Sequence, residues 1–126
     1  MKEANLDIHF DLIVPVPLHA SKLRQRGYNQ SDFFAQGLAE SMAIPWNSQV
    51  LIRTKDTTTQ TQKGKLARLE NVENAFQVTQ SHKIHGQRLL LVDDIITTGA
   101  TIEACGLALL AAGAKAIHVA AIAVAE

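Results

Sequence analysis

Two adjacent carboxylates, Asp93 and Asp94, stand between a run of apolar residues and a segment rich in threonine and glycine. The apolar run from Leu89 to Val92 predicts a strand that is buried on both faces, as in a parallel sheet. We therefore place the two carboxylates at the carboxyl edge of that sheet, where open α/β folds bind their ligands. Carboxylates in that position can accept hydrogen bonds from the hydroxyl groups of a ligand.

The segment after the carboxylates predicts a phosphate site. Hydroxyl groups and backbone N–H groups at the start of a helix bind phosphate oxygens, and the helix dipole favours the negative charge. Because carboxylates and phosphate repel each other, their adjacency favours a ligand that brings hydroxyl groups to the acids, or a Mg²⁺ ion between the charges. A ribose 5-phosphate with a free 2,3-diol meets both requirements. The residues that would supply the phosphate contacts are Thr97, Thr98, Gly99 and Thr101.

Composition narrows the function classes. The 126 residues predict one domain over residues 1–126. Twelve basic residues balance twelve acidic ones, which argues against a general nucleic-acid or membrane surface. The single cysteine, Cys105, permits neither an internal disulfide nor a cysteine zinc site. With no apolar run long enough to span a bilayer, we expect a cytoplasmic protein.

The predicted elements alternate between strands and helices, which favours a parallel sheet with right-handed crossovers. Helices are indicated by apolar spacing, and the loops by polar, aperiodic composition. Strands are predicted over residues 10–16, 49–53, 75–78, 88–92 and 116–123, helices over residues 29–42 and 100–112, a helical turn over residues 65–72, and loops over residues 18–27 and 54–64.

A basic segment between the first strand and the first helix is a second candidate for ligand binding. It contains Lys22, Arg24 and Arg26 and ends at Gly27. Backbone N–H groups and a helix N-terminus bind pyrophosphate oxygens, and arginine adds bidentate contacts. A basic loop by itself is usually a solvated surface, but its place beside the phosphate segment favours a role in binding.

Three blocks of the sequence carry a family resemblance. The segment from Leu89 to Thr101 resembles the signature of type I phosphoribosyltransferases, which bind 5-phosphoribosyl-1-pyrophosphate (PRPP). The block from Val14 to Glu40 resembles the ComF/GntX family and, more distantly, the pyrophosphate loop of glutamine–PRPP amidotransferases. The third block, residues 53–76, resembles the ComF pattern of Arg, Thr, Gln, Arg, Asn-Val and Ala-Phe.

The resemblance implies an α/β fold with the doubly wound parallel sheet of the type I phosphoribosyltransferase core. ComF-like proteins usually carry a cysteine-rich zinc module and a helical hood segment before the first block, and we expect both to be absent from this chain. The implied reaction displaces pyrophosphate at the anomeric carbon of ribose through an oxocarbenium-like transition state. Asp93 and Asp94 would be the catalytic residues, holding the diol and stabilising the developing positive charge.

The resemblance also implies roles for the other candidate residues. The cofactor would be Mg²⁺, held near Asp93 and Asp94 through ribose hydroxyls or water. The 5-phosphate would contact Thr97, Thr98, Gly99, Ala100 and Thr101, and the pyrophosphate would contact Arg24, Arg26, Gly27, Lys55 and Arg68.

Two functions stay open at this point. The first is a PRPP-binding transferase whose acceptor is not identified, because no side chain is an obvious acid or base for a particular nucleophile. The alternative is a non-catalytic accessory protein of competence, the uptake of DNA, which uses the fold to bind PRPP, a nucleotide or DNA-processing partners. A second copy of the chain is another candidate partner, and we expect no membrane partner. A receiver domain is disfavoured, since its paired acids lie near the domain start and only one helix and one strand fit after Asp94.

Overall fold

The computed structural model describes residues 9–54, 75–96 and 98–124. The strands and the two predicted helices lie close to their predicted bounds, except that the strand through the acids is longer. The strands are β1 (Leu12–Pro15), β2 (Leu51–Arg53), β3 (Phe76–Val78), β4 (Arg88–Ile96) and β5 (Ala116–Val124). The helices are α1 (Ala20–Arg26), α2 (Gln30–Met42) and α3 (Ala100–Ala111), with a short 3-10 helix over Ser81–Lys83.

The central sheet is parallel, as predicted, and has the strand order β1-β4-β5. Val14 of β1 lies opposite Leu91 of β4, and Leu91 in turn lies opposite Val119 of β5. β4 is therefore the middle strand, and its backbone forms hydrogen bonds with β1 on one side and with β5 on the other. The carboxyl ends of all three strands point to the same edge of the sheet.

Helices cover both faces of this sheet. Leu89 and Leu91 pack in one core with Leu109 of α3, whereas Leu90 and Val92 pack in a second core with Ala35 of α2. The alternation follows from the two-residue period of a strand, and the burial of each such side chain stabilises the fold by about 1.5–3 kcal/mol. The continuous apolar run before the acids is thus explained by a doubly wound sheet.

The short strands β2 and β3 form a separate antiparallel pair, in which Leu51 lies opposite Val78. This pair lies outside the parallel sheet that the alternation of strands and helices predicts. Leu51 and Phe76 are both buried in the core that contains α3, so the pair gains its burial from that core. An antiparallel pairing needs no crossover between the two strands.

Residues 18–27 are not the loop that the sequence predicts, because they contain α1. The Nδ1 atom of His19 accepts a hydrogen bond from the Ser21 N–H at 3.1 Å and caps the start of the helix. Gly27 ends it in the left-handed conformation, with a φ of 82° that glycine adopts without strain. None of the α1 residues is buried, so the segment lacks the apolar spacing by which a helix is recognised.

Strand β4 is longer than the predicted strand and continues through the two acids to Ile96. Asp93 lies opposite Ala121 of β5, and Ile95 lies opposite Ala123. The pairing with β5 thus continues past Val92 to the end of the strand. Asp93 and Asp94 are therefore part of the strand itself and not the first residues after it.

The helix predictions over residues 29–42 and 100–112 are confirmed. The side chain of Asn29 caps α2 by accepting a hydrogen bond from the Ser31 N–H, and α3 is followed by Gly113 in a positive-φ conformation. Of the predicted loop over residues 54–64, only Thr54 is described, and the helical turn over residues 65–72 lies outside the described residues. Within the described part of the chain, no helix has the length and apolar composition to cross a membrane.

Candidate functional site

Asp93 lies near the carboxyl end of β4 with its side chain half-buried. Its Oδ1 atom accepts two hydrogen bonds, one from the Asp94 N–H at 2.8 Å and one from the Ser31 hydroxyl at 3.2 Å. Ser31 is in the first turn of α2 and is only 2% exposed. The acid is thus tied both to its own strand and to the helix that covers one face of the sheet.

The electrostatic environment of Asp93 disfavours its charged form. Burial is the main cause, and it raises the pKa of the Asp93 carboxyl from 3.8 to about 6. A hydrogen bond with the Asp94 side chain raises the pKa as well, while the Asp94 N–H and the Ser31 hydroxyl oppose the shift by stabilising the carboxylate. At neutral pH the carboxyl is still largely ionised. As the pH falls, it becomes protonated at a pH about two units higher than an exposed aspartate does.

Asp94 is held in a similar way to its neighbour. Its Oδ1 atom accepts a hydrogen bond from the Ile95 N–H at 2.8 Å, and its side chain is half-buried. Each carboxylate therefore uses one oxygen to accept the N–H of the next residue. Two adjacent carboxylates fixed in this manner suit a ligand that offers two neighbouring hydroxyl groups.

The start of α3 adjoins the acids. Gly99 precedes the helix with a left-handed φ of 85°, and the Ala100 N–H donates to the Thr98 hydroxyl at 3.2 Å. Together with Asp93, Gly99 and Thr101 line a cavity of about 40 Å³. The structure thus brings one predicted catalytic acid next to part of the predicted phosphate segment, while Thr97 lies outside the described residues.

The predicted pyrophosphate residues are placed differently. Arg24 and Arg26 are exposed on α1, and Gly27 terminates that helix. Neither arginine is among the residues that line the cavity at Asp93. The other two predicted residues, Lys55 and Arg68, lie outside the described residues.

A larger cavity of about 370 Å³ lies between the end of β1, α1 and β2. Its polar lining includes Asp32, whose pKa is raised by burial, and Arg53, whose guanidinium lies 5.2 Å from the ring centroid of Phe76. The remaining walls are largely apolar. Arg24 and Arg26 do not line this cavity either.

Sequence reasoning missed one residue of the site. Ser31 is not among the candidate residues that the sequence predicts, and Asn29 is the residue that caps α2. Its contact with Asp93 joins residues that are 62 positions apart in the sequence. No local sequence pattern predicts such a contact. The only signal in the sequence is the predicted helix over residues 29–42, which is expected to pack against the sheet that contains Asp93.

The described residues include no group of three or more histidine, cysteine, aspartate or glutamate side chains arranged to hold a metal ion. Cys105 is buried in the core, and burial raises the pKa of its thiol. It serves as a small apolar residue of the core.

Comparison with known families decides the classification. A model of the phosphoribosyl transferase domain matches residues 30–125. The chain belongs to the phosphoribosyl transferase domain family. The matched residues include α2, both acids and the whole of α3, whereas α1 lies before them.

Curated bacterial proteins share this domain with the chain. The DNA utilization protein YhgH of Escherichia coli strain K12 is 37% identical over 109 residues, which cover 86% of this chain and 47% of that protein. Competence protein F of Haemophilus influenzae is 36% identical over 110 residues, covering 86% of this chain and 48% of that protein. Competence protein ComFC of Bacillus subtilis is 33% identical and is covered to 42%. The chain spans about half the length of these relatives, and they agree with the ComF resemblance.

Solved structures confirm the fold. The glutamine PRPP amidotransferase of B. subtilis, complexed with ADP and GMP, superposes with a TM-score of 0.60 over 94% of this chain and 23% of that chain. A structure described as the allosteric regulatory enzyme of purine biosynthesis gives a TM-score of 0.62 over 93% of this chain and 23% of that chain. Both are 24% identical to this chain, so the likeness is one of fold.

Proposed function

We propose that this domain binds the ribose 5-phosphate part of PRPP at the carboxyl edge of its parallel sheet. The observation that carries the proposal is the cavity that Asp93 shares with Gly99 and Thr101 at the start of α3. A carboxylate that can accept hydrogen bonds from a ribose diol lies there beside the N-terminus of a helix that can bind a phosphate. No other part of the described chain combines paired carboxylates with a threonine and glycine segment.

In this proposal, Asp93 and Asp94 accept hydrogen bonds from the 2- and 3-hydroxyls of ribose. The 5-phosphate contacts the segment from Thr97 to Thr101, where the Thr98 and Thr101 hydroxyls and the backbone N–H groups at the start of α3 face an anion. Because Gly99 has no side chain and a positive φ, the backbone can approach the phosphate closely at that residue.

The pyrophosphate contacts are proposed for Arg24, Arg26, Gly27, Lys55 and Arg68. The support is the clustering of cations after β1 and the family resemblance of the second and third blocks. Arg24 and Arg26 are exposed on α1, so their side chains are accessible to an anion from solvent.

The donor chemistry fits a Mg²⁺ ion. This ion prefers oxygen ligands and keeps several waters, and proteins usually bind it through one or two carboxylates together with substrate phosphates. Asp93 and Asp94 provide two adjacent carboxylates, and they would hold the ion through ribose hydroxyls or water. When bound, Mg²⁺ would neutralise charge on the pyrophosphate.

The proposed reaction is the displacement of pyrophosphate at the anomeric carbon of ribose by an unidentified nucleophile. Positive charge develops on the ribose ring as the bond to pyrophosphate breaks. The carboxylates, held by backbone N–H groups and Ser31 before the ligand arrives, stabilise that charge without reorganising. The family match and the fold support this assignment, and the domain is proposed to act in the cytoplasm.

A second candidate function is favoured by the names of the relatives, which refer to DNA utilization and competence. In this alternative the domain binds PRPP or a nucleotide without transferring it and contacts DNA-processing partners or a second copy of itself. The same ribose site would serve both functions.

Two experiments test these proposals in sequence. Calorimetry with ribose 5-phosphate and with PRPP, each with and without Mg²⁺, tests binding; a folded sample that binds neither under any condition overturns the proposed site. Pyrophosphate release from PRPP is then measured with a panel of bases and amines. Release that depends on one acceptor establishes a transferase, whereas tight binding without release favours the accessory function.

A further inference from the structure

The Ser31 hydroxyl does not serve as the cap of α2. Asn29 already caps α2, and its side chain accepts the Ser31 N–H at 3.1 Å. The hydroxyl of Ser31 is buried and has to find a hydrogen-bond partner within the protein. It donates to Oδ1 of Asp93 at 3.2 Å.

The position of Ser31 is itself fixed by a chain of contacts. The Asn29 amide donates to the Val16 carbonyl at 3.1 Å and to the Asp32 carboxylate at 3.3 Å. The first turn of α2 is thereby tied to the end of β1, the neighbour of β4 in the sheet. These contacts of Asn29 hold the start of α2, and with it the backbone of Ser31, against the end of β1.

Two donors on one oxygen define the orientation of the Asp93 carboxylate. The Asp94 N–H alone leaves the side chain free to turn about that contact. The Ser31 hydroxyl adds a second donor to the same oxygen from a different element. These two donors hold the carboxylate in one orientation before a ligand arrives.

We propose that Ser31 is a positioning residue that fixes the Asp93 carboxylate for its contact with a ribose hydroxyl. Ser31 itself does not touch the ligand. The identity of the ligand rests on the function proposed above, whereas the effect of Ser31 on the Asp93 side chain does not.

The experiment compares Ser31→Ala and Ser31→Cys with the unchanged protein. Cysteine keeps the size of the buried side chain but is a weak donor, so it separates packing from hydrogen bonding. Ser41→Ala is the matched control, because Ser41 is on the same helix but exposed. Affinities are measured for ribose 5-phosphate and for inorganic phosphate, which lacks the diol.

Loss of one positioning hydrogen bond should weaken ribose 5-phosphate binding by about three- to tenfold in both Ser31 variants. Phosphate affinity should stay unchanged, so the ratio of the two affinities falls. Ser41→Ala should leave both affinities as they are. An equal loss for both ligands, or a Ser31→Cys variant that matches the unchanged protein, would indicate a packing role and overturn the proposal.

A second measurement does not depend on any ligand. Scalar couplings across the χ1 angle of Asp93 should report one rotamer in the unchanged protein and rotamer averaging in Ser31→Ala and Ser31→Cys. Unaltered couplings in both variants would contradict positioning by Ser31, even if the protein binds no ribose. Absence of ribose 5-phosphate binding with altered couplings would overturn the proposed function while keeping the role of Ser31.

Discussion

The acidic end of β4 and the basic segment on α1 are built in different ways. Asp93 is half-buried and accepts hydrogen bonds from two elements, and its strand runs between two helix-covered faces. α1 contains no buried residue and is held at its ends by His19 and Gly27. One region is fixed by tertiary packing, whereas the other is held by its caps and by a single bridge between His19 and Arg53, so we expect the first to be preorganised for its ligand and the second to open more readily.

The two regions should contribute differently to binding. Preorganised groups lose little freedom when a ligand arrives, whereas exposed arginine side chains have to be ordered. The acids and the start of α3 should therefore dominate the affinity for the ribose 5-phosphate part. The cations of α1 should add a smaller, salt-sensitive contribution that appears only with a ligand that carries pyrophosphate.

The largest effect is expected from replacing both acids. Asp93→Asn together with Asp94→Asn should lower the affinity for ribose 5-phosphate at least about tenfold, because each charge-assisted hydrogen bond contributes roughly 1.5–3 kcal/mol. Calorimetry measures the affinity, and Glu40→Gln on the exposed side of α2 is the control. A thermal melt should show a folded variant; unchanged affinity in that variant would remove the acids from the site.

A change of pH should have the next largest effect. Burial holds the pKa of Asp93 near 6, so the carboxylate that accepts the ribose hydroxyl is lost as the pH falls through that value. Affinity for ribose 5-phosphate should drop about tenfold between pH 7 and pH 5. Since the ligand's own phosphate also titrates near pH 6, the same titration of Asp93→Asn is the control. The expected difference is a flatter profile for the variant, and identical profiles would show that Asp93 does not control binding.

Removal of the α1 cations should have a moderate and selective effect. Arg24→Ala with Arg26→Ala should weaken PRPP binding by about three- to tenfold, since exposed ion contacts are individually worth little. Ribose 5-phosphate binding should be unaffected because that ligand lacks pyrophosphate. Lys115→Ala, which removes an exposed cation after α3, is the control. An equal loss for both ligands would mean that α1 supports the ribose site instead of contacting pyrophosphate.

The smallest effect is expected from Gly27→Ala. Alanine at a φ of 82° is strained by about 1 kcal/mol, and the strain falls on a helix without buried residues. Hydrogen exchange should accelerate for the amides of α1 but not for those of α2 or α3. A large fall in the melting temperature would show instead that α1 is part of the cooperative core.

The same contrast explains what the sequence could predict. The run from Leu89 to Val92 is apolar because helices cover both faces of the sheet. This single pattern therefore predicts both the strand and the position of the acids at its carboxyl end. The capping residue Asn29 and Gly113 mark helix ends by local chemistry. The strand and the place of the acids are predictable because the local pattern and the tertiary environment agree.

Other features depend on contacts that no local pattern carries. The continuation of β4 through Asp93 to Ile96 accompanies its pairing with β5, a partner strand that lies far along the chain. α1 lacks apolar spacing because it buries nothing, and the contact of Ser31 with Asp93 joins distant parts of the chain. The antiparallel pairing of β2 with β3 likewise depends on the core that buries Leu51 and Phe76.

The central claim is that the acids and the start of α3 form one ribose 5-phosphate site. A two-dimensional amide NMR titration with ribose 5-phosphate tests it most directly, because it reports both binding and location. The account predicts saturable shifts at the amides of Asp94, Gly99 and Thr101, with little change along α1. Saturable shifts confined to other residues, or no shifts at millimolar ligand, would contradict it.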